Sequence, residues 1–346
     1  YDAGADGIQD FTVAVNDGPE ILFLNAASLA IYALGCSDEI AVQAPAPNLV
    51  VWNVALTIDG GLPTASDKLI VGTPGTTDTV TYAPTGPDSG TLTIANLNTV
   101  FNISQIEHLV YDGEAGNDSL TVLGTAAVDT FIHTPGAAVD AGVLRVNSLL
   151  PINYQNLGAN GYITIDDSAG ETTDLLICEG TAREDTFNVA AATGAVTLES
   201  AIPTGYLLHI PINQIGVERL ELDGLEGDDH FNLTSDLPYS MAFLAGGGPG
   251  GSDSTTILGT VGVDDDFAFY LGSTHGEGTV VLNAIPVAYR GLEEINLLGD
   301  PPDLDALQIN GSLASEVWEI QRGSLLYGTQ VQIDRRETVN YGQFVD

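Results

Sequence analysis

Basic residues are almost missing from this chain. Its 346 residues include 8 lysines and arginines, with Lys68 as the single lysine, against 47 aspartates and glutamates. The resulting net charge of −39 argues against nucleic acid and anionic membranes as partners, because a protein that binds a polyanion needs lysine and arginine. Bound divalent cations, high external salt or wide spacing along an elongated body would each make this charge tolerable.

Cysteine and long apolar runs are scarce as well. Cys36 and Cys178 are far apart and share no metal-ligand spacing, which leaves buried free thiols and a disulfide as alternatives. The most apolar run, residues 21–34, is too short to cross a bilayer, so no membrane insertion is expected. The chain opens at Tyr1 without a signal peptide, as expected for a mature or excised piece of a longer precursor.

Glycine and aspartate are abundant, with 40 glycines and nearly twice as many aspartates as glutamates. Short segments of alternating apolar and polar residues lie between Gly and Asp turns. This pattern is typical of half-buried β-strands and favours turns over helices. We therefore predict an all-β chain with no helix longer than one turn.

One pattern recurs four to five times along the chain. Each copy has a strand that begins with an apolar residue and Glu and ends in Asp-Gly, then a loop with Asp, a second strand, Gly-Thr and a further Asp. The Gly-Thr pairs, with Gly-Ser in the last copy, start at Gly72, Gly124, Gly180, Gly259 and Gly311. Their spacings are 52, 56, 79 and 52 residues, which indicates internal duplication with a period of about 53.

The copies give the predicted organisation of the chain. They are N-terminal partial repeats at 1–56, a first repeat at 57–122, a second at 123–178, a third at 179–257 with an insert at 235–254, and a fourth with a C-terminal partial repeat at 258–346. Repeats too small to bury a core alone should stack, so we predict a repeat-built β-solenoid of the parallel β-helix type. Tandem small β-sandwich domains are the alternative.

The solenoid also predicts two columns of stacked apolar side chains. The first column contains Phe131, Phe187, Phe267 and Trp318. The second contains Leu120, Leu175, Phe231 and Leu307.

Two glycine-rich turns resemble a known calcium-binding repeat. "GEAGNDSLT" (113–121) and "GLEGDDHFN" (224–232) match the pattern Gly-Gly-x-Gly-x-Asp-x-apolar-x except at its second glycine. The chain thus resembles degenerate haemolysin-type, repeats-in-toxin-like repeats of large secreted bacterial surface proteins, in its turn regions only. The resemblance implies Ca²⁺ ligation by Asp118 and Asp229.

The matching nonapeptides are isolated and not in tandem, so we expect local calcium sites in place of a ladder of ions. Asp112 with Asp118, or Asp223 with Asp228 and Asp229, would supply the ligands. "VDDDF" (263–267) is a further candidate. Capping of turn amides by the aspartates is the alternative.

The sequence predicts no enzyme. The five histidines show no metal-ligand or triad spacing, and there is no nucleophile elbow, phosphate loop or Cys-His pattern. Acidic pairs are too abundant for any single pair to mark a catalytic site.

We therefore predict an extracellular structural protein that self-assembles into a surface layer, sheath or filament, stabilised by Ca²⁺. Its partner would be a second copy in a head-to-tail homopolymer, with residues 337–346 adding a strand to the N-terminal turn of a neighbour. One alternative is an adhesin of a giant surface protein that binds cell-surface glycans through an exposed aromatic patch of Tyr239, Phe243 and Tyr270. A carbohydrate-active β-helix enzyme is a third.

Overall fold

The computed structural model describes most of the chain. The described residues are 10–16, 18–44, 52–62, 66–168, 173–248, 252–299, 305–310, 318–322, 329–333 and 338–342, with the backbone alone at 318–322 and 329–333. All regular structure in them is β, apart from one 3₁₀ turn at Ala95–Leu97. The all-β prediction is confirmed.

Most strands are short, and buried side chains alternate with half-exposed ones along them, because successive side chains point to opposite faces of a sheet. The strands are β1 (Phe11–Val13), β2 (Ile21–Phe23), β3 (Ser28–Tyr32), β4 (Glu39–Gln43), β5 (Ala55–Asp59), β6 (Lys68–Gly72), β7 (Thr79–Gly86), β8 (Ser89–Ile94), β9 (Thr99–Ser104), β10 (His108–Asp112), β11 (Ser119–Leu123), β12 (Thr130–Pro135), β13 (Gly142–Val146), β14 (Ile152–Gln155), β15 (Tyr162–Asp166), β16 (Leu175–Glu179), β17 (Asp185–Val189), β18 (Val196–Ile202), β19 (Gly205–Leu208), β20 (Ile212–Ile215), β21 (Arg219–Asp223), β22 (His230–Thr234), β23 (Met241–Ala245), β24 (Ser254–Leu258), β25 (Asp266–Leu271), β26 (Glu277–Leu282), β27 (Ile285–Arg290), β28 (Glu294–Leu298), β29 (Ala306–Asn310), β30 (Trp318–Arg322), β31 (Thr329–Ile333) and β32 (Thr338–Gly342).

The chain divides into two compact units, Tyr1–Ile132 with Gly136–Gly170, and His133–Pro135 with Glu171–Asp346. In the first unit, β4, β6, β10 and β14 form a parallel ladder, which we call its first sheet. Its second sheet contains two parallel ladders, β3–β5–β9 and β7–β11–β15, which the antiparallel strand β8 joins.

The second unit is built in the same way. Its first sheet contains the parallel ladder β16–β21–β23–β27, extended by β26, β25 and β29. Its second sheet contains the parallel ladder β17–β22–β24–β28–β32, with β18–β19 and β30–β31 as antiparallel additions. Parallel pairing between successive passes of the chain makes each unit solenoid-like, whereas β-sandwiches are antiparallel.

A coil is one pass of the chain through both sheets, and coils of two lengths stack in these ladders. Ser119 lies beside Thr79 and Tyr162, which are 40 and 43 residues away, because an antiparallel hairpin is included in each of these coils. Arg219 lies beside Met241, only 22 residues away, in a coil without a hairpin. The insert predicted at 235–254 corresponds to this short extra coil.

The 53-residue repeat is one and a half coils, not one. In the first unit, Gly72 ends β6 in the first sheet, whereas Gly124 follows β11 in the second sheet. In the second unit, Gly180 follows β16 in the first sheet and Gly259 follows β24 in the second. Each copy crosses between the sheets an odd number of times, so successive copies start on opposite sheets.

Because successive copies start on opposite sheets, the apolar columns differ from the two that the sequence predicts. Phe187 pairs in register with Phe231, a member of the other predicted column, and their rings stack with centroids 5.3 Å apart. Phe131, Phe267 and Leu120 are buried as predicted, but Leu175 and Leu307 are half-exposed. Leu176, not Leu175, is the inward-facing residue of β16, whereas Leu307 lies beside buried Phe267. The side chain of Trp318 lies outside the described residues.

Two further expectations concern cysteines and the C-terminal segment. Both cysteines are free thiols: Cys178 is buried in β16, but Cys36 is exposed and not buried as predicted. The segment 338–342 forms β32, which pairs with β28 and β31 of its own chain. In the described part of the chain, no helix is long and apolar enough to cross a membrane.

We expect the chain to tolerate removal of one whole coil. Deleting residues 230–253 joins Asp229 to Ser254, which already lies beside His230 in the next coil, and keeps every later strand on its own sheet. Circular dichroism should show native-like strand content and cooperative melting at a somewhat lower temperature. Deleting only residues 230–241 moves all later strands to the opposite sheet and should abolish cooperative melting. Equal melting curves for the two deletions would contradict the coil assignment.

Candidate functional site

Buried acidic side chains line the bends between the sheets and connect one coil to the next. The backbone N–H of one aspartate donates to the carboxylate of the aspartate at the same bend of the following coil. The donor and acceptor pairs are Asp38 and Asp67, Asp78 and Asp118, Asp185 and Asp229, Asp229 and Asp253, and Asp265 and Asp305, at 2.8–2.9 Å. We call these stacks the carboxylate columns.

The glutamate of the recurring apolar-Glu pair lies just before β10, β21 and β28, and in each case it ends a column. Glu107 accepts the N–H of Asp67 at 2.8 Å, Glu218 that of Asp174 at 3.1 Å, and Glu293 that of Asp253 at 2.9 Å. The recurring apolar-Glu pair of the sequence therefore has a structural role: its carboxylate accepts the N–H of the last aspartate of a column.

The Gly-Thr motif forms a turn that is capped by an aspartate four or five residues after the threonine. The N–H of Thr125 donates to Asp129, that of Thr181 to Asp185 and that of Thr260 to Asp265. A second partner was not apparent from the sequence: an asparagine 18 residues after the aspartate donates its side-chain amide to it. These asparagines are Asn96, Asn147 and Asn283. Their recurrence at a fixed distance is the pattern that could have revealed them.

The Asp-Gly glycines leave room for the inward carboxylates. A Cβ at Gly113 would lie 2.0 Å from Asp118 Oδ2, and a Cβ at Gly224 would lie 2.2 Å from Asp229 Oδ2 and 2.8 Å from the carbonyl oxygen of Gly246. The fixed spacing of glycine and aspartate in the nonapeptides thus has a steric cause.

Burial changes the protonation of the columns. Asp229 is fully buried, and desolvation is the main cause that raises its pKa to about 8; the charges of Asp185, Asp253 and Asp228 act in the same direction. Desolvation likewise raises the pKa of Asp118 to about 7, although the Tyr111 hydroxyl donates to its Oδ2 at 3.1 Å. Asp229 therefore carries a proton for most of the time at neutral pH.

The structure places the five predicted calcium ligands in different surroundings. Asp118 and Asp229 point inward and accept backbone N–H groups, whereas Asp112 and Asp223 are half-exposed and Asp228 is exposed. Among the described residues, no group of three or more acidic, histidine or cysteine side chains could hold a metal ion. At 263–267, Asp265 belongs to a column. The calcium site stays a prediction.

Asp112 shows what the outward carboxylates do. Gln155 donates to its Oδ2 at 2.7 Å and Asn156 to its Oδ1 at 2.9 Å, both from the next coil. Partial burial acts to raise the pKa of Asp112, but these hydrogen bonds outweigh it and the pKa is lowered.

A row of polar side chains on the second sheet of the second unit, part of it buried, runs parallel to the carboxylate columns. Asn188, Asn232, Thr256, Asn296 and Asn340 lie side by side on five strands. Asn232 donates to Asn188 at 2.9 Å, and Asn340 donates to Asn296 at 2.8 Å. Amide ladders of this kind stabilise stacked parallel strands.

A buried serine–histidine pair was also not predicted from the sequence. Ser200 Oγ and His209 Nε2 lie 3.2 Å apart in the second unit, near Asp185. Ser200 is 1% and His209 5% exposed. A buried hydroxyl of this kind cannot meet a substrate, so the pair contributes to packing and not to nucleophilic catalysis.

We expect the Asp229→Asn variant to lose part of the pH dependence of stability. The folded chain holds a proton on Asp229 that the unfolded chain releases above its ordinary pKa of 3.8. The free energy of unfolding should therefore fall as pH rises from about 4 to about 8, by at most ~1.4 kcal/mol per pH unit for this group. The variant should match wild type near pH 4 and be more stable near pH 9 in urea unfolding.

The exposed residue Asp228, next to Asp229 in the chain, supplies the control for this measurement. Asp228→Asn makes the same chemical change but removes only one of the smaller causes that raise the pKa of Asp229, so it should keep most of the slope of stability against pH. Buried His133 and His209, whose pKa values burial lowers, act in the opposite sense at low pH but are common to all variants. Equal slopes for wild type and Asp229→Asn would contradict the buried proton.

We also expect Gly224→Ala to destabilise the chain by about 2–3 kcal/mol, because the new Cβ overlaps Asp229 Oδ2. In Gly224→Ala with Asp229→Ala, the missing carboxylate vacates that space. The double variant should therefore lose less stability than the two single variants added together. Additive losses in denaturant unfolding would show that glycine and carboxylate do not share the space.

Comparison with known proteins adds no relative to this picture. No protein-family model, no curated protein and no solved structure matches the chain. Any function assigned to the chain depends on the carboxylate columns and the sheet faces described for its own residues.

Proposed function

We propose that this chain is a structural building block of an extracellular assembly, such as a surface layer, a sheath or a filament. The observation that supports this function best is the direction of its polar contacts. The aspartates of the columns bond to the coil beside them, as do the asparagines on the second sheet of the second unit, and in the described chain they do not converge on a pocket. Such contacts serve stacking and rigidity.

The acidic outer surface gives calcium a role in this proposal. Asp112, Asp223 and Asp228 lie on the outside, in a chain with a net charge of −39. Copies of such a chain repel one another unless salt screens the charge or a divalent cation binds. Ca²⁺ at outer carboxylates would lower this repulsion and favour assembly.

The adhesin alternative depended on an exposed aromatic patch of Tyr239, Phe243 and Tyr270. Of the three aromatic residues, Tyr239 is 2% exposed and donates its hydroxyl to the carbonyl oxygen of Gly194 at 2.7 Å. The guanidinium of Arg290 lies over the ring of Phe243 at 5.8 Å from its centroid. Tyr270 is 44% exposed. No aromatic patch forms from this set.

The alternative of a carbohydrate-active enzyme would need a groove with clustered acids. A shallow, open depression in the second unit is lined by Glu184, Glu226 and Asp228 together with Ala182 and Gly227. Because the depression is open to solvent, it would not exclude water from a reacting sugar. Contacts between coils therefore support a structural role better than a catalytic one.

Self-assembly through donation of the C-terminal strand needs a change of conformation. Because β32 already pairs with β28 and β31, a neighbour could receive it only after it leaves its own sheet. Assembly through a free surface requires no such exchange, and we favour it for that reason.

Electron microscopy of the purified chain tests the proposed function. Filaments or sheets should form near physiological salt with Ca²⁺ and should shorten or dissociate when a chelator is added. Assemblies that are identical in Ca²⁺ and in chelator would remove calcium from the proposal and leave the structural role. A chain that stays monomeric at every salt and Ca²⁺ concentration would refute the structural role itself.

A further inference from the structure

One outer sheet face of the first unit lacks charge. On the second sheet, one cross-strand row contains Ala55, Val100, Thr93, Thr81, Thr121 and Thr164, each directly beside the next on six neighbouring strands. Val100 is 38% exposed, and the threonines are half-buried by one another. We call the surface around this row the threonine face.

The outward residues beside the row are also uncharged, including Thr57, Thr79 and Ser119. Carboxylates begin only at Asp59 and Asp166, the last residues of β5 and β15. Parallel ladders hold the threonine hydroxyls and methyl groups at the spacing between strands, about 4.8 Å.

The other outer faces that the described residues form each carry charged side chains within them. The first sheet of the first unit presents Glu39 and Lys68. In the second unit, the first sheet presents Arg219 and Glu221, and the second sheet presents Glu294. The second sheet of the second unit also has an uncharged row, but Glu199 and Glu294 lie beside it, and its Asn296 and Asn340 are buried. Among the described faces, the threonine face is thus the uncharged surface that stays accessible.

We infer that the threonine face is the surface through which two copies of this chain pack against each other. In a chain with a net charge of −39, packing any one of the other faces against its own copy places carboxylates in the contact, at the ~10 Å distance of packed sheets. Two threonine faces meet without that repulsion. Threonine methyl groups and the exposed Val100 supply apolar area, and the hydroxyls can pair across the contact.

The size of the face sets the strength of the contact. Six strands about 4.8 Å apart and about five residues long cover about 400 Å² per copy, or about 800 Å² in total. This area lies below that of stable dimers, so the isolated contact should be weak. Repetition through an assembly would raise its effective strength. The inference thus rests on the proposed structural role and names its interface.

Charge placed on the threonine face tests the inference. The variant Thr81→Asp with Thr121→Asp puts two carboxylates on adjacent strands, and the variant Thr81→Lys with Thr121→Lys puts two ammonium groups there. Thr186→Asp with Thr197→Asp, on neighbouring strands of the second unit, is the matched control. Sedimentation velocity measures association of each variant across a concentration series, and circular dichroism shows whether each is folded.

The Asp variant should need at least about tenfold higher concentration than wild type to associate, since like charges then face each other. Mixing folded Asp and Lys variants should restore association, because opposite charges now meet across the same face. A loss caused by misfolding would not be restored by mixing. The control variant should associate as wild type does.

The remaining outcomes separate this inference from the proposed function. Wild-type assemblies that persist in the Asp variant would overturn the interface and leave the structural role intact. A wild type that neither associates nor forms assemblies would overturn both. A wild type that stays monomeric but binds an insoluble neutral polysaccharide through this face would also overturn the inference, since the occupant would then be a glycan.

Discussion

The hydrogen bond from a backbone N–H to the buried carboxylate of the next coil is the interaction on which this structure depends. It runs through Asp185, Asp229, Asp253 and Glu293 without interruption. At each bend the chain leaves a sheet, and an unpaired buried N–H would cost free energy comparable to a lost hydrogen bond. One carboxylate per bend meets this requirement and also fixes the register of neighbouring coils.

The same bond explains much of the composition. An inward carboxylate needs space, which glycine leaves beside Asp118 and Asp229. It tends to keep its proton because it is buried, so the columns carry less charge at neutral pH than the count of acidic residues suggests. Part of the acidity is therefore structural. The remainder lies on the surface, where it restricts which faces of two copies can approach each other.

Several features of this arrangement could be predicted from residues alone. Period-two alternation and Gly-Asp turns predicted the strands, and the recurring Gly-Thr pairs predicted stacking. The pairing of Phe187 with Phe231 could not be predicted, because a 53-residue period does not reveal how often the chain crosses between sheets. Likewise, the nonapeptide match placed Asp112 and Asp118 together in sequence, but only the structure showed that Asp118 is buried whereas Asp112 is half-exposed.

The sequence by itself determined the all-β class, the duplication, the turn positions and the acidic character, since each depends on local residue preferences or on counting. Only the tertiary structure decided that a repeat is one and a half coils, that aspartates bond between coils, and that one sheet face is uncharged. These depend on contacts between residues about 40 positions apart, such as Thr81 with Thr121. Such contacts follow from the stacking of whole coils, which no short segment specifies alone.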